Sequence, residues 1–350
     1  MRVLTTLPQD DLCQVPAAAT AAEAAGYDSL VTMENRHNPF LPLAVAATAT
    51  KQVELATGIA IAFLRSPMAV ANMGWDLQAA SRGRFVVGLG SQVKAHNERR
   101  FSVPWSPPAP RMREYVESLR AIWRSWLTGA VLDYRGKHYS FTLMTPNFVP
   151  EASGQPMPAV TLAAVGPVML SLAGELADGV RLHPFCTRKY VDEVVLPRIE
   201  AGLAARGGAR ENFEIAGGGF IATGADDEAV AARVEWVRQR VGFYGSTRAY
   251  WPVFEAHGLE DLGQKLLGHS RAGTWDRMAG EISDDVLGLF TAIGRHDEIA
   301  GVIEARFAGV ADSINASVAS DIPAGLPADL IQDIQRIPRA FTGFRTAAWE

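Results

Sequence analysis

Cysteine is scarce in this sequence, and long apolar runs are missing. Only two cysteines, Cys13 and Cys186, occur among 350 residues, far apart and in no spacing typical of a metal site. Their scarcity argues against a disulfide framework and favours a reducing compartment. Gly, Pro or charged residues interrupt the apolar runs well short of membrane-spanning length, and the N-terminus lacks a signal-peptide pattern. We therefore expect a cytoplasmic protein without a membrane partner.

A strong excess of either charge is also missing. The chain has 33 Lys and Arg against 38 Asp and Glu, a formal net charge of -5. This balance gives no general attraction to nucleic acid, so any anion site must be local. With 48% hydrophobic and 20% charged residues, the composition is that of a globular protein with one large core.

Several catalytic motifs are absent as well. The sequence contains no His-x-x-x-His or Cys-x-x-Cys pair, no Gly-x-Ser-x-Gly turn and no Walker loop. These motifs are the usual sequence signs of a metal site, a nucleophilic hydrolase and a nucleotide triphosphatase. We therefore expect no metal, and a hydrolase fits the sequence poorly.

Short β-branched runs alternate along the chain with longer segments of helical period. Strand, helix and strand repeat without hairpins, which indicates parallel pairing. Eight strands are predicted, and they favour an α/β (β/α)8 TIM barrel with its chemistry on the loops after the strands. An open doubly wound sheet is the alternative. The predicted strands cover residues 3–7, 28–33, 53–62, 84–90, 159–164, 179–183, 213–223 and 312–319.

Two insertions interrupt this alternation, at about residues 91–158 after strand 4 and 244–294 before strand 8. In the first, Met112, Tyr115, Leu119 and Trp126 recur three, four or seven apart, which predicts an amphipathic helix. A small hairpin is predicted at residues 133–140. We interpret residues 1–350 as a single barrel domain with these insertions.

Glycines mark the end of the fourth predicted strand. Without side chains, Gly88 and Gly90 would let a ligand approach the backbone closely. The N–H groups of Gly90, Ser91 and Gln92 could form an anion-binding concavity, with the Ser91 hydroxyl as a further donor. The alternative is a tight strand exit whose glycines only relieve strain.

The fifth predicted strand ends in a comparable turn, Ala164-Val165-Gly166, directly before Pro167. Proline suits the first position of a helix, whose free N–H groups and positive dipole end would then face the barrel mouth. Two neighbouring turns would thus share a cofactor phosphate. The alternative is an ordinary strand-to-helix turn.

Polar side chains follow the second predicted strand. Glu34, Asn35, Arg36 and His37 are costly to bury without a purpose, so we expect them to face a site. Glu34 or His37 could act as general acid or base, and imidazole is the better match to neutral pH. Alternatively, Glu34 pairs with Arg36 across the loop and His37 caps a turn.

Further candidates lie elsewhere along the chain. His183, at the end of strand 6, is a second catalytic candidate, or else a satisfied core histidine. His96 follows the glycine turn closely and is assigned to the cofactor site. Tyr244, Ser246 and Tyr250, in the second insertion, are predicted to roof the substrate pocket, although aromatic packing in a helical core is the alternative.

Four segments together resemble the luciferase-like flavin and deazaflavin oxidoreductases: SRGRFVVGLGSQ, PAPRMREYVESLRAIWRSW, TLAAVGPVMLSLAGELADG and RVGFYGSTRAY. The resemblance runs from the first strand to Ala319 and is closest to the branch that uses the deazaflavin coenzyme F420. It implies a TIM barrel, the cofactor ring at its C-terminal mouth, hydride chemistry there, and commonly a homodimer. It implies no particular substrate, because members act on alcohols, sugars, imines and activated alkenes.

Two further expectations depend on this resemblance. Family members often carry a non-prolyl cis peptide bulge behind the ring, which similarity places near Ala60 and Ile61. Lys94, Arg99 and Arg100 could meet the acidic tail of the deazaflavin, or could be an ordinary solvated segment.

The sequence is therefore interpreted as a coenzyme F420-dependent oxidoreductase acting on a small organic molecule. A side chain such as His37 or Glu34 would move the proton while the cofactor carries the hydride. One alternative is an FMN-dependent monooxygenase on the same fold. Another is a barrel that binds flavin or deazaflavin without turnover.

Overall fold

The computed structural model describes residues 1–315 and 325–344. Its strands, numbered along the chain, are β1 (Arg2–Thr6), β2 (Ser29–Thr32), β3 (Glu54–Thr57), β4 (Ala60–Ile61), β5 (Phe85–Gly90), β6 (Tyr134–Arg135), β7 (Ser140–Phe141), β8 (Ala159–Ala164), β9 (Gly179–Leu182), β10 (Glu214–Ala216), β11 (Phe220–Gly224), β12 (Thr291–Arg295) and β13 (Ser313–Asn315).

The main sheet is a closed parallel barrel, as predicted. Its order is β1, β2, β3, β5, β8, β9, β10 and β13, and β4 continues the position of β3 along β5. Pairing of β1 with β13, through Arg2 and Ser313, closes the barrel and excludes an open sheet. The carboxyl ends of all these strands therefore meet at one mouth.

Helices surround the barrel. They are α1 (Val15–Ala25), α2 (Phe40–Ala49), α3 (Pro67–Ala80), α4 (Lys94–Arg99), α5 (Pro108–Thr128), α6 (Pro167–Leu176), α7 (Arg188–Tyr190), α8 (Leu196–Ala205), α9 (Asp227–Gly245), α10 (Trp251–Glu255), α11 (Glu260–Ala272), α12 (Asp284–Phe290), α13 (Ile299–Phe307) and α14 (Ala328–Gln335), with a π-helical turn, Val191–Val195, joining α7 to α8. Of these described helices, none is both long and apolar enough to cross a membrane.

The insertion helix α5 belongs to the core, as its apolar period predicts. Tyr115, Leu119 and Trp123 are fully buried. The Trp123 indole donates a hydrogen bond of 3.1 Å to the Ala71 carbonyl of α3. A Cβ atom on Gly74 of α3 would lie 2.9 Å from the Trp123 ring, so glycine permits this close approach. The first insertion is thereby anchored to the barrel's helical layer.

The predicted seventh strand, residues 213–223, is wrong in its second half. The barrel strand β10 ends at Ala216, and Gly217 and Gly218 follow with φ angles of +92° and +109°. Glycine adopts these angles without a Cβ clash, so the chain turns out of the barrel. The next segment, β11, pairs in parallel with β12, a strand within the second insertion that the sequence did not reveal.

Two other strands differ from prediction. The third is interrupted between β3 and β4, where the Gly58–Ile59 peptide is cis, two residues before the position that the resemblance gave. The eighth begins at Ser313 and is described to Asn315, so the remainder of the predicted strand, to residue 319, lies outside the described residues.

The amino end of the barrel encloses a charged cluster. Arg2 pairs with Glu214 at 2.6 Å and with Glu54 at 2.9 Å, and Arg181 lies 3.8 Å from Glu214. Burial raises the pKa of the Glu54 carboxyl. Burial also opposes ionisation of Glu214, but Arg2 and Arg181 outweigh it and hold the pKa of Glu214 below its usual value. These side chains join β1, β3, β9 and β10 inside the barrel.

Candidate active site

The loops after the barrel strands bring together most of the predicted site residues. The loop after β2 carries Glu34, the turn after β5 carries Ser91, the turn after β8 carries Gly166, and His183 directly follows β9. Because the strands are parallel, all four residues lie at the carboxyl end of the barrel.

Glu34 is an ion-pair partner and not a free acid or base. Its carboxylate accepts two hydrogen bonds from Arg65, of 2.6 and 2.7 Å, and a third of 2.7 Å from the Ile61 N–H. These three donors engage both oxygens of a mostly buried carboxylate, so the geometry favours a structural role for Glu34 over the predicted catalytic one. Its partner is Arg65 and not Arg36, because the fold brings the chain after β4 against this loop.

His37 and Asn35 lie on the outer side of the same loop. The His37 imidazole is 42% exposed, and its Nε2 lies 3.0 Å from the Asp10 carboxylate. The Asn35 side chain accepts a hydrogen bond of 2.6 Å from the Arg36 N–H, so it stabilises its own turn. The Asn35 carbonyl accepts a hydrogen bond from Arg100. His37 is thus a solvent-accessible imidazole at the rim.

Gly88 is explained by packing within the barrel. A Cβ atom at Gly88 would lie 1.9 Å from the Thr57 carbonyl oxygen. The Thr57 hydroxyl also donates to the Gly88 carbonyl at 2.7 Å and accepts from its N–H at 2.8 Å. The predicted close approach at Gly88 is therefore made by the neighbouring strand, which leaves no room there for a ligand.

Gly90 accommodates the side chain of Ile59. A Cβ atom at Gly90 would lie 2.7 Å from Ile59 Cδ1. Ala60 and Ile61, predicted to press on the cofactor, are fully buried, whereas Ile59 is half-buried at the mouth. Ile59 was not singled out from the sequence, because an isoleucine within an apolar strand carries no local sign of a bulge.

The turn after β5 presents main-chain donors. Gln92 has φ +54°, and its side chain accepts a hydrogen bond of 2.9 Å from the Val93 N–H. The buried Asn97 amide donates to the carbonyls of Ser91 at 2.9 Å and Val93 at 3.1 Å, which fixes the turn. Within residues 1–315 and 325–344, no acceptor takes the N–H of Ser91 or Gln92. His96 lies outside this arrangement, exposed on α4.

The turn after β8 is a second group of donors. Gly166 is the N-cap of α6 and Pro167 its first residue, as predicted, and no side chain caps this helix. A Cβ atom at Gly166 would meet nothing within 4 Å, so crowding does not explain this glycine. The Tyr190 hydroxyl donates a 2.8 Å bond to the Val165 carbonyl and holds the turn, while Ala164 is buried in β8. Since β5 and β8 are paired, the two turns are neighbours.

His183 lies against two aromatic rings. The centroids of Tyr244 and Tyr250 are 4.3 and 4.5 Å from its own. Burial lowers the pKa of His183 to about 3. Its Nδ1 accepts a hydrogen bond of 3.0 Å from the Phe185 N–H, so the proton of the neutral ring is on Nε2. His183 is therefore a neutral hydrogen-bond donor at pH 7.

Ser246 does not fit the substrate pocket. It is buried, and its hydroxyl donates a hydrogen bond of 2.7 Å to the Phe243 carbonyl at the end of α9. A serine at a helix end commonly bonds back to its own helix, and this local preference competes with any ligand. Tyr244, by contrast, borders the His183 ring.

Cations line the rim beside the first donor turn. Arg100 reaches the Asn35 carbonyl and lies 4.8 Å from the Phe101 ring centroid. Lys94 lies 3.8 Å from Glu98 and is largely exposed, as is Arg99. Elsewhere in the described ranges, no group of three or more His, Cys, Asp or Glu residues is arranged to hold a metal ion.

This parallel barrel, with two donor turns and a neutral imidazole at its mouth, has the architecture of a cofactor-dependent barrel enzyme. The model of the family described as luciferase-like monooxygenase matches residues 2–313. The chain belongs to this family.

The chain is also similar to curated proteins and to a solved structure. An uncharacterised protein of Mycobacterium tuberculosis (strain ATCC 25618 / H37Rv) is 46% identical over 305 residues, 87% of this chain and 90% of the relative. The 5,10-methylenetetrahydromethanopterin reductase of Archaeoglobus fulgidus is 29% identical, over 79% of this chain and 81% of that protein. The coenzyme F420-dependent tetrahydromethanopterin reductase of Methanopyrus kandleri has the same fold, with a TM-score of 0.75, 22% identity, and coverage of 96% and 97%.

Proposed function

We propose that the protein is a coenzyme F420-dependent oxidoreductase that transfers a hydride between the deazaflavin and a small organic substrate. The observation that carries this proposal is the pair of neighbouring donor turns, Ser91–Gln92 and Val165–Gly166. Their N–H groups and the free first turn of α6 suit a phosphate dianion. A Mycobacterium tuberculosis relative that is 26% identical and is named a putative coenzyme F420-dependent oxidoreductase supports the same choice of cofactor.

The half-buried Ile59 side chain would support the cofactor ring at the mouth, and the two turns would hold its phosphate. The bound deazaflavin would supply or accept the hydride, and the chain would orient it and hold the substrate. The Ile59 side chain lies against Gly90 and so presents an apolar surface at the end of β5.

Two histidines would have separate roles in this site. The His183 ring packs against Tyr244 and Tyr250, and its neutral Nε2–H would donate a hydrogen bond to a substrate oxygen. A neutral imidazole can polarise a carbonyl without transferring a proton itself. His37, exposed beside Asp10, is placed to exchange a proton with solvent at the rim.

An FMN-dependent monooxygenase is the second candidate, because the family description names monooxygenases. FMN shares the phosphate but lacks the longer acidic tail of the deazaflavin. Lys94, Arg99 and Arg100 favour the deazaflavin, since three cations at the rim attract an acidic chain. A barrel that binds the cofactor without turnover is the third candidate.

Titration of the cofactor-free protein with F420 and with FMN tests the choice of cofactor. We expect F420 to bind at least about tenfold more tightly, with a difference that shrinks at high salt because the tail contact is electrostatic. Equal or tighter binding of FMN would refute the proposal. Oxidation of bound reduced cofactor on adding substrate then separates an enzyme from a binding protein.

We also propose that the protein works in the cytoplasm as a homodimer whose other partner is only its small-molecule substrate. The homodimer follows the resemblance to the family, and the cytoplasmic location follows the scarcity of cysteine and of long apolar runs. Sedimentation equilibrium at micromolar concentration would show twice the mass of the chain, and a monomer would refute the dimer.

A further inference from the structure

A buried ion pair, Arg65–Glu34, supports the shelf formed by Ile59 at the mouth. The two side chains are 12% and 8% exposed, and both terminal guanidinium nitrogens of Arg65 bind the carboxylate. Arg65 also donates a hydrogen bond of 3.2 Å to the Ile61 carbonyl and lies 5.4 Å from the Phe40 ring centroid. Its guanidinium is thus fixed on several sides.

The ion pair is connected directly to the backbone on both sides of Ile59. The Ile61 N–H donates to the Glu34 carboxylate at 2.7 Å, and the Glu34 N–H donates to the Ile59 carbonyl at 3.1 Å. Further hydrogen bonds fix the ends of this segment, from Gly58 N–H to the Thr32 carbonyl at 2.7 Å and from Ala62 N–H to the Gly90 carbonyl at 2.9 Å. Glu34 therefore helps to fix the backbone position of residues 59–61.

The position of Ile59 matters because the neighbouring strand is so close. Ile59 Cδ1 would be 2.7 Å, and its Cγ1 2.8 Å, from a Cβ atom on Gly90. Gly90 directly precedes Ser91, the first residue of a donor turn. A displacement of Ile59 would consequently change both the apolar surface and the separation between it and that turn.

We infer that Arg65 is a positioning residue for the cofactor. Through Glu34, it fixes the position of the Ile59 side chain that would support the cofactor ring while the two turns hold the phosphate. The inference depends on the proposed function. In this inference, Glu34 supports the shelf. Arginine is required at position 65 because its planar guanidinium binds both carboxylate oxygens, whereas the ammonium group of a lysine is a point charge.

The chain provides a matched control at the other end of the barrel. Arg120 pairs with Asp178 at 3.0 Å, with side chains 11% and 12% exposed. Asp178 also accepts a main-chain hydrogen bond, of 2.8 Å from Val160, and Arg120 also reaches a main-chain carbonyl, that of Leu176. Asp178 precedes β9, far from the mouth. Arg120→Lys therefore imposes a comparable loss on an equally buried pair without touching the shelf.

The experiment compares Arg65→Lys, Arg120→Lys and the parent in urea unfolding, F420 affinity and the visible absorption spectrum of bound F420. We expect similar losses of stability in both variants, but only Arg65→Lys should weaken F420 binding, by about tenfold, and shift the bound spectrum. If Arg65→Lys fails to fold, the double variant Glu34→Gln with Arg65→Met replaces it, since this removes both charges and keeps an acceptor for Ile61.

Two outcomes overturn the inference and can be distinguished. If the parent binds F420 and Arg65→Lys binds it with the same affinity and spectrum, the pair is only structural and the proposed function stands. If the parent binds neither F420 nor FMN, the proposed function and the inference both fall.

Discussion

His183, a half-buried side chain, shows how one residue makes folding depend on pH. Burial lowers its pKa from 6.5 to about 3 in the folded protein. Because the folded value is below the unfolded one, the unfolded chain binds a proton that the folded chain refuses as pH falls below about 6.5. Stability present at neutral pH is thus lost toward about pH 3. The loss is at most about 1.4 kcal/mol per pH unit.

We predict that His183→Gln flattens this dependence, since glutamine keeps an acceptor for the Phe185 N–H but does not titrate. The measurement is urea unfolding of parent and variant at pH 7 and pH 4. A parent and a His183→Gln variant with equal slopes would show that His183 is protonated in both states.

At the scale of single residues, the sequence predicted where a residue lies in the fold better than which residue it contacts. Glu34 was correctly placed at a strand end, but its partner Arg65 is 31 residues further along, and only the closed barrel brings them together. Gly88 and Gly90 were correctly identified as sites of close approach. That approach is made by Thr57 and Ile59, because a glycine pattern cannot show whether protein or ligand fills the space.

Strands of the barrel are joined by the charged cluster at its amino end, where two glutamates differ in their response to pH. The pKa of Glu214 is lowered by arginines, so its carboxylate stabilises the fold above the unfolded value of about 4.3 and loses this effect as pH falls. Burial instead raises the pKa of Glu54, so its ionised form opposes folding once pH rises above its unfolded value.

We predict that Glu214→Gln destabilises the protein at pH 7 by about 3–5 kcal/mol, since it breaks a buried ion pair. Glu54→Gln should cost clearly less at the same pH. Chemical denaturation at pH 7 and pH 4 measures both, and the Glu214→Gln deficit should shrink at pH 4. Equal losses in the two variants would contradict these opposite pKa shifts.

Among the elements, those with strong local signals were predicted well. The start of α6 at Pro167 follows from the backbone angle that proline prefers. Strand β12 was missed, and β11 was merged with β10, because apolar runs look alike whichever sheet they join. The pairing of β11 with β12 is a tertiary choice without a local sign.

At the scale of the whole molecule, strand order decides which loops become neighbours. β5 and β8 are separated in sequence by the first insertion, yet they pair in the barrel and bring the two donor turns together. The parallel alternation predicted this closure, which is why the location of the site was predictable. The cationic rim and the neutral His183 depend on the same closure, since they come from different loops.

The affinity of Ser91→Glu for F420 tests the central claim, that these two turns hold a cofactor phosphate. A carboxylate at Ser91 would repel the dianion and remove a hydroxyl donor, so we predict about a hundredfold weaker binding or worse. Ser91→Ala should lose about tenfold or less, because the main-chain donors remain. Circular dichroism and thermal unfolding without cofactor should match the parent in both variants. A folded Ser91→Glu protein that binds F420 like the parent would contradict the phosphate assignment.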